Sequence, residues 1–404
     1  MSKGTTAFTY LFLISCFFLG SFSDLRAQEK KKKEKKVSIF PMPFLSANPT
    51  AGWVFGVSPS FNWTTGNPET TSMSTALGMV LFTTKNQFFT SLRSNFFLKD
   101  DSWALLADIR YNNNNQPTFG LGSGIASLDP LGAQAVGRLE PKEERIYFSQ
   151  FRFYGTALKR VPNTRFFYGM GIMVDRMFDI WDDALDLDAD PIKDSFHHHY
   201  QYQKGMNIDQ YVQSGFSLNA MYDSRDNVAN TYKGEFAWLS FRPMPQFMGS
   251  TTNSSQLWAE YRKYFTLNPE RPRHILGLWS YGWFVTHGDL PYLFLPALGW
   301  DMFNRSGRPY TFGRFRGEDV VYNEIEWRFP LQRNKDFIGG VIFLNATSAS
   351  NRNENVSLFR HIHFGYGAGL RFLVLPSKRL NLGIDYGWGA HGASGYFINL
   401  YETF

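Results

Sequence analysis

The chain has 404 residues, aromatics at 18% nearly equal to charged residues at 19%, and one cysteine, Cys16. A soluble enzyme rarely carries so many aromatics, and a lone thiol in the N-terminal apolar run leaves no disulfide and no Cys-ligated metal for the rest of the chain. The formal charge of +6 sits at the start: residues 1–36 hold 8 of the 41 Lys+Arg and 3 of the 35 Asp+Glu, leaving 33 against 32, so the body is near neutral and lacks the basic surface that nucleic-acid binding needs.

Lys3 precedes an apolar stretch from Tyr10 to Phe22, and Leu25-Arg26-Ala27 follows it. This pattern predicts a secretory signal over 1–27, cleaved near Ala27. Leu13-Ile14-Ser15-Cys16 is similar to a lipoprotein cleavage box, but Phe17-Phe18-Leu19 carries the apolar core past the cysteine, which argues against lipidation. Residues 28–37 read as a solvated Lys-rich tail on the periplasmic side. Beyond it no run approaches the roughly 18 apolar residues of a membrane-spanning helix.

From Ser38, Ile39-Phe40-Pro41-Met42-Pro43 and Asn48-Pro49-Thr50-Ala51-Gly52 read as an extended, turn-rich lead into the first strand. Strand patterns then recur to the end: about 51–63, 70–83, 86–98, 102–112, 116–123, 144–156, 164–176, 209–222, 232–244, 255–267, 272–285, 319–329, 337–348, 360–373, 378–388 and 395–404. Most alternate an apolar face with a polar or small one, the period of two that marks a strand. In 102–112, Trp103, Leu105, Ala107, Ile109 and Tyr111 oppose Asp108 and Arg110. In 360–373, Ile362, Phe364, Tyr366, Ala368, Leu370 and Phe372 oppose His363, Gly365, Gly367, Gly369 and Arg371. From 319 onward Val321, Ile325, Trp327 and Phe329 oppose Tyr322, Glu324, Glu326 and Arg328. Leu380, Leu382, Ile384, Tyr386 and Trp388 likewise oppose Asn381, Gly383, Asp385 and Gly387.

Connections alternate between short and long, as 157–163 against 177–208 and 268–271 against 286–318. Lipid offers no hydrogen-bond partner to an open sheet edge, so strands cross a membrane only if the sheet closes, apolar outside and polar within. The expected fold is therefore all-β: a transmembrane barrel of sixteen antiparallel strands over 38–404, with short turns and both termini periplasmic. A secreted sandwich or propeller would need polar outer faces, whereas here the polar face is rich in small residues and charges.

His197-His198-His199 lies in the loop 177–208, downstream of Asp182, Asp183, Asp186, Asp188, Asp190 and Asp194. Asp186-x-Asp188-x-Asp190 begins like a calcium loop, but Pro191 stands where the turn needs glycine and His197 where it needs a bidentate Glu. Consecutive histidines on an extended chain also point to opposite sides, so no metal or other cofactor is expected. No Gly-x-Ser-x-Gly elbow occurs, and the chain reads as a non-enzyme.

With the strands placed, several stretches resemble the BamA/TamA-like outer-membrane proteins, the bacterial surface-antigen barrel superfamily, in its short barrel-only form from Bacteroidetes-like bacteria. They are Phe40-Pro41-Met42-Pro43 with Pro49 and Gly52; Tyr222-Asp223-Ser224-Arg225-Asp226-Asn227 with Lys233-Gly234; Gly313-Arg314-Phe315-Arg316; Glu326-Trp327-Arg328-Phe329-Pro330-Leu331; and Gly395-Tyr396-Phe397 to Phe404. The resemblance covers nearly everything after Ser38. It implies a sixth extracellular loop folded into the lumen, and a C-terminal strand carrying Tyr396, Ile398, Leu400 and Phe404 as an assembly signal.

The sequence departs from that family in three places. The loop-tip Arg-Gly-Tyr/Phe falls on Arg308-Pro309-Tyr310, and the following Phe-x-Asp-x-Gly falls on Phe343, Asn345 and Thr347, without the acid. Only about ten residues separate the predicted cleavage site from the barrel, too few for a POTRA domain. The resemblance implies a role in outer-membrane biogenesis, inserting or translocating a protein or lipid, or as the barrel subunit of an envelope complex. Its surroundings would be outer-membrane lipid and lipopolysaccharide, with room for a periplasmic or lipoprotein partner. The alternative is a passive pore or structural surface protein without assembly activity.

The alternation of 319–329 sends Glu324 and Glu326 inward, so Arg308 is expected to lie in the lumen, paired with one of them, with Tyr310 beside it. Arg314 or Arg316 could pair instead. In a wet lumen such a pair is worth on the order of 1 kcal/mol.

Overall fold

Alternating apolar and polar faces leave a sheet greasy on one side, and closure lets the greasy side face outward without leaving an edge. The computed structural model describes residues 37–404 apart from 125–143, 191, 229, 303, 333–336 and 377–378; the predicted signal and nearly all of the Lys-rich tail lie outside the described residues. The strands are β1 (Val37–Asn48), β2 (Gly52–Trp63), β3 (Ser74–Thr83), β4 (Phe88–Phe97), β5 (Trp103–Thr118), β6 (Glu144–Arg160), β7 (Phe166–Asp182) and β8 (Tyr211–Asp223). They continue as β9 (Gly234–Met244), β10 (Ser254–Thr266), β11 (Ile275–His287), β12 (Asp319–Pro330), β13 (Ile338–Ala349), β14 (His363–Leu375), β15 (Leu380–Gly389) and β16 (Ser394–Leu400). Each pairs antiparallel with its sequence neighbours, and β16 returns to β1, closing a sixteen-stranded barrel.

Side-chain exposure follows the alternation. On β12, Ile325 and Trp327 are exposed while Tyr322, Glu324, Glu326 and Arg328 are buried. On β5, Trp103, Leu105 and Tyr111 face out, and Asp108 and Arg110 face in as an ion pair at 2.5 Å.

Sixteen strands were expected and sixteen form, because two errors of the sequence reading cancel. The segment from Ser38, read as an extended, turn-rich lead into the first strand, is itself the first strand. Pro41 stands opposite Pro59 of β2. Two residues without N–H cannot exchange ladder bonds, so their missing donors point away from each other, that of Pro41 toward β16, where little pairing is lost. The segments 102–112 and 116–123 are not two strands: residues 113–115 between them continue the ladder of one strand, β5, which ends at Thr118, with side-chain bonds from Asn112 to Gln150 and from Arg145 to Asn115. The first four expected strands therefore run opposite to the direction assigned them.

β6 and β7 are 17 residues each, longer than the roughly 9–11 residues a tilted membrane strand needs. Their far ends stand beyond the bilayer and support a cap: Phe148, Met177, Tyr211, Leu293 and Phe294 share one buried cluster. The last strand was expected to run to Phe404 but ends at Leu400, because Tyr401 takes a left-handed φ of 80° and the chain then turns inward.

Candidate functional site: the inner loop and the seam

The segment 288–318 between β11 and β12 has an apolar start, Leu290-Pro291-Tyr292-Leu293-Phe294-Leu295, nearly all of it buried. A short 3-10 turn over Tyr292–Phe294 fixes it against the cap, where Tyr200 Oη donates to the Leu290 carbonyl at 2.9 Å and Gln256 Nε2 donates to the Phe294 carbonyl at 3.0 Å. The chain then runs to Arg308-Pro309-Tyr310, which lies over a trough of glycines on β14 and β15. A Cβ at Gly365 would come within 2.6 Å of the Arg308 carbonyl oxygen, one at Gly387 within 3.0 Å of Pro309, and one at Gly389 within 2.7 Å of Tyr310. The small residues of the alternating pattern are the room in which the loop tip sits.

Arg308 is 1% exposed. Its Nη1 donates to Asp385 Oδ2 at 2.5 Å and its Nη2 to Glu326 Oε2 at 2.5 Å and to Glu324 Oε1. The guanidinium also lies 3.9 Å from the Phe343 ring centroid. Asp385, on β15, is the partner that pattern reading missed. The signal was present: Asp385 sits on the inward parity of β15 beside Arg371 of β14, which it meets at 2.5 Å. Asn345 of β13 instead donates to the Arg308 carbonyl oxygen.

The surroundings are not the wet lumen that was expected. Burial lowers the pKa of Arg308, but Glu324, Glu326 and Asp385 outweigh it and hold the guanidinium well above its usual range. An expected value of order 1 kcal/mol is therefore too small for the loss of one partner: removing a single member strands buried opposite charge, at about 3–5 kcal/mol. Arg314 and Arg316 do not reach the glutamates. Arg314 lies over the rings of Phe119 and Phe315, and Arg316 Nη1 donates to the Tyr292 carbonyl at 3.0 Å. Burial lowers the pKa of both, and pushes that of Tyr292 up to about 12.

Tyr310 Oη donates to the Phe364 carbonyl at 2.6 Å and accepts from Ala390 N at 2.9 Å, in the turn between β15 and β16. Phe312 N donates to Thr50 Oγ1 at 2.7 Å in the turn between β1 and β2, and Arg305 Nη1 donates to the Glu402 carbonyl oxygen. The loop thus touches both sides of the β1–β16 junction. That junction is thin. β1 and β2 pair from Val37↔Trp63 to Asn48↔Gly52, whereas among the described residues β1 and β16 register only at Ala47↔Ile398. Ser46 supplements it, its Oγ donating to the Ile398 carbonyl at 2.5 Å.

Of the expected assembly-signal residues, Tyr396 is exposed, Ile398 and Leu400 are half-buried on β16, and Phe404 is buried inside the barrel. The three histidines lie on a helix, α1 (Phe196–Gln203), and not on an extended chain, because Ser195 caps it: its Oγ accepts from His198 N at 3.0 Å. His197 pairs with Asp182 at 2.9 Å, while His198 and His199 share Asp194 at 2.6 and 3.0 Å. Among the described residues no three acidic or imidazole groups are placed to hold a metal.

No protein-family profile and no curated protein matches the sequence. Solved structures do match in shape. BamA from Haemophilus ducreyi lacking POTRA domains 1–3 aligns with a TM-score of 0.56 at 13% identity, over 91% of this chain and 70% of that one. CdiB from Acinetobacter baumannii aligns with a TM-score of 0.55 at 13% identity, over 91% of this chain and 60% of that one. At such identities the likeness is one of fold: the chain forms a closed sixteen-stranded barrel of the outer-membrane type seen in BamA and CdiB.

Proposed function

We propose that this chain acts in outer-membrane biogenesis, with both termini periplasmic, by opening the β1–β16 seam sideways so that a polypeptide or lipid client passes between barrel interior and bilayer. The observation that carries the reading is the seam itself, one registered pair among the described residues where the other junctions have ladders of six pairs or more. A sheet edge bared to lipid costs several kcal/mol for each unsatisfied group, so a seam with few bonds to break is where opening costs least. The inner loop sets the resting state by holding the turns on both sides, with Arg308 and Tyr310 as its anchor against Glu324, Glu326 and Asp385. A periplasmic or lipoprotein partner would deliver the client; the chain itself is assigned no catalysis.

A disulfide across the seam tests this. Ala47 and Ile398 are directly opposed, at the Cα separation a disulfide spans, so A47C with I398C is expected to close the seam under oxidising conditions. Cells depending on this variant should lose outer-membrane assembly when oxidised and regain it with reductant. The control L239C with A259C, across the long β9–β10 ladder, should do neither. Equal behaviour of the two pairs would remove the proposal. A passive pore, the other reading, would conduct steadily in a planar bilayer, whereas a barrel filled by 288–318 conducts little.

A further inference from the structure

Past β16, Glu402, Thr403 and Phe404 are all buried inside the barrel, against a wall that runs from neighbouring β15 to distant β10. The Phe404 ring packs on Tyr264 of β10 and Trp279 of β11, at 6.0 and 5.4 Å between centroids, with the Arg328 guanidinium 5.3 Å from its centroid. Gly277 makes the space: a Cβ there would stand 3.1 Å from the ring. Arg328 Nη2 also donates to the Phe404 main-chain oxygen at 2.8 Å. Two residues earlier, Glu402 accepts from Arg371 Nε at 2.7 Å and from Asn381 Nδ2 at 2.5 Å. One wall thus reads two side chains, an acid and an aromatic, at a fixed spacing along the chain.

The wall has capacity left over. A small recess adjoins it, lined by Arg328, Arg371, Asn381, Glu402, Asn230 and Tyr232. Arg328 Nη1, Asn381 Oδ1 and Asn230 Oδ1 are buried there without partners. An unpaired buried polar atom costs about 1–3 kcal/mol, and a donor beside two acceptors is what a passing polypeptide backbone would satisfy.

We propose that this inner wall, from β10 to β15, is a recognition site for an extended polypeptide segment with an acidic residue two positions before an aromatic one, and that Glu402-Thr403-Phe404 fills it in cis. Arg371 and Asn381 select the acid. Tyr264, Trp279, Gly277 and Arg328 select the aromatic. The inference rests on the proposed function and narrows its client to a polypeptide: movement of β16 draws the cis segment out, and the client's own acid-x-aromatic segment takes its place.

The test uses the full chain in detergent and a fluorescent peptide with the sequence of residues 399–404, amidated at its end. The E402A/F404A variant, which vacates both subsites, should bind the peptide at least about tenfold tighter than the unaltered chain, and replacing either Glu or Phe of the peptide by Ala should weaken binding about tenfold. Equal binding to both proteins, indifference to the Glu and Phe, or no binding to the folded variant would overturn the site. If the double variant does not reach the heat-modifiable folded form, F404L is measured by the same criteria. A seam disulfide that blocks assembly together with a peptide that shows no preference would reject this site and leave the proposed function standing.

Discussion

The β5–β6 junction and the β1–β16 junction solve the same problem with different means. β5 and β6 pair without a break from Trp103↔Lys159 to Thr118↔Glu144, and Asn112 and Asn115 add side-chain bonds where the strands rise past the membrane. The seam has Ala47↔Ile398 and one hydroxyl, with prolines on its β1 side. Its remaining closure comes from within, through Thr50, Ala390 and Glu402, each bonded to the loop 288–318. A ladder is cooperative and hard to open locally, whereas a junction braced by one loop opens when that loop lets go.

The largest expected effect is therefore at Arg308. Arg308→Ala leaves Glu324, Glu326 and Asp385 buried without their shared guanidinium and should destabilise the barrel by about 3–5 kcal/mol, read as a lower unfolding midpoint in denaturant. R308K should recover only part, since a lysine cannot address three carboxylates through two planar nitrogens. An R308A barrel with unchanged midpoint would mean that the loop does not brace the seam.

A smaller effect sharpens the contrast at the end of the barrel that holds the termini. There the β8–β9 turn crosses to the β14–β15 turn, where Asp226 Oδ2 accepts from Arg379 Nη1 at 2.6 Å and Oδ1 accepts from Tyr232 N at 2.9 Å. Partial burial raises the Asp226 pKa, and the bonds from Arg379 and the turn amides outweigh it, leaving the carboxyl below its usual range. A depressed folded value means that the stabilisation is present above the unfolded pKa, near 3.9, and is lost as pH falls through the folded one. The Asp226–Arg379 pair is only partly buried, so D226N should cost about 0.5–1 kcal/mol at neutral pH and progressively less as pH falls below the unfolded pKa, measured by unfolding across that range.

What was legible in the sequence follows period two. Alternation exposed the barrel, the outward faces of β5, β12 and β14, and the inward glutamates of β12, because lipid outside and polar interior impose it residue by residue. It did not expose β1, which read as a lead segment, since proline tolerance depends on which neighbour a strand lacks. Nor did it carry the strand through the break left at 113–115, because those asparagines pair only once β6 lies alongside. Asp385 was on the inward face in plain view, but its pairing with Arg308 is set by where a long loop lands, and no local spacing records that. The inward turn at Tyr401 was hidden for the same reason: Glu402 and Phe404 are held by β10, β11, β12 and β14, distant in sequence.

The central claim, that the barrel is weakest at β1–β16, is tested most directly by amide hydrogen exchange on the folded protein in lipid nanodiscs. The amides of β1 and β16 that face one another should exchange at least about a hundredfold faster than those between β5 and β6 in the membrane-embedded span, and faster still in R308A. Equal protection at the two junctions, or a seam indifferent to R308A, would contradict the account.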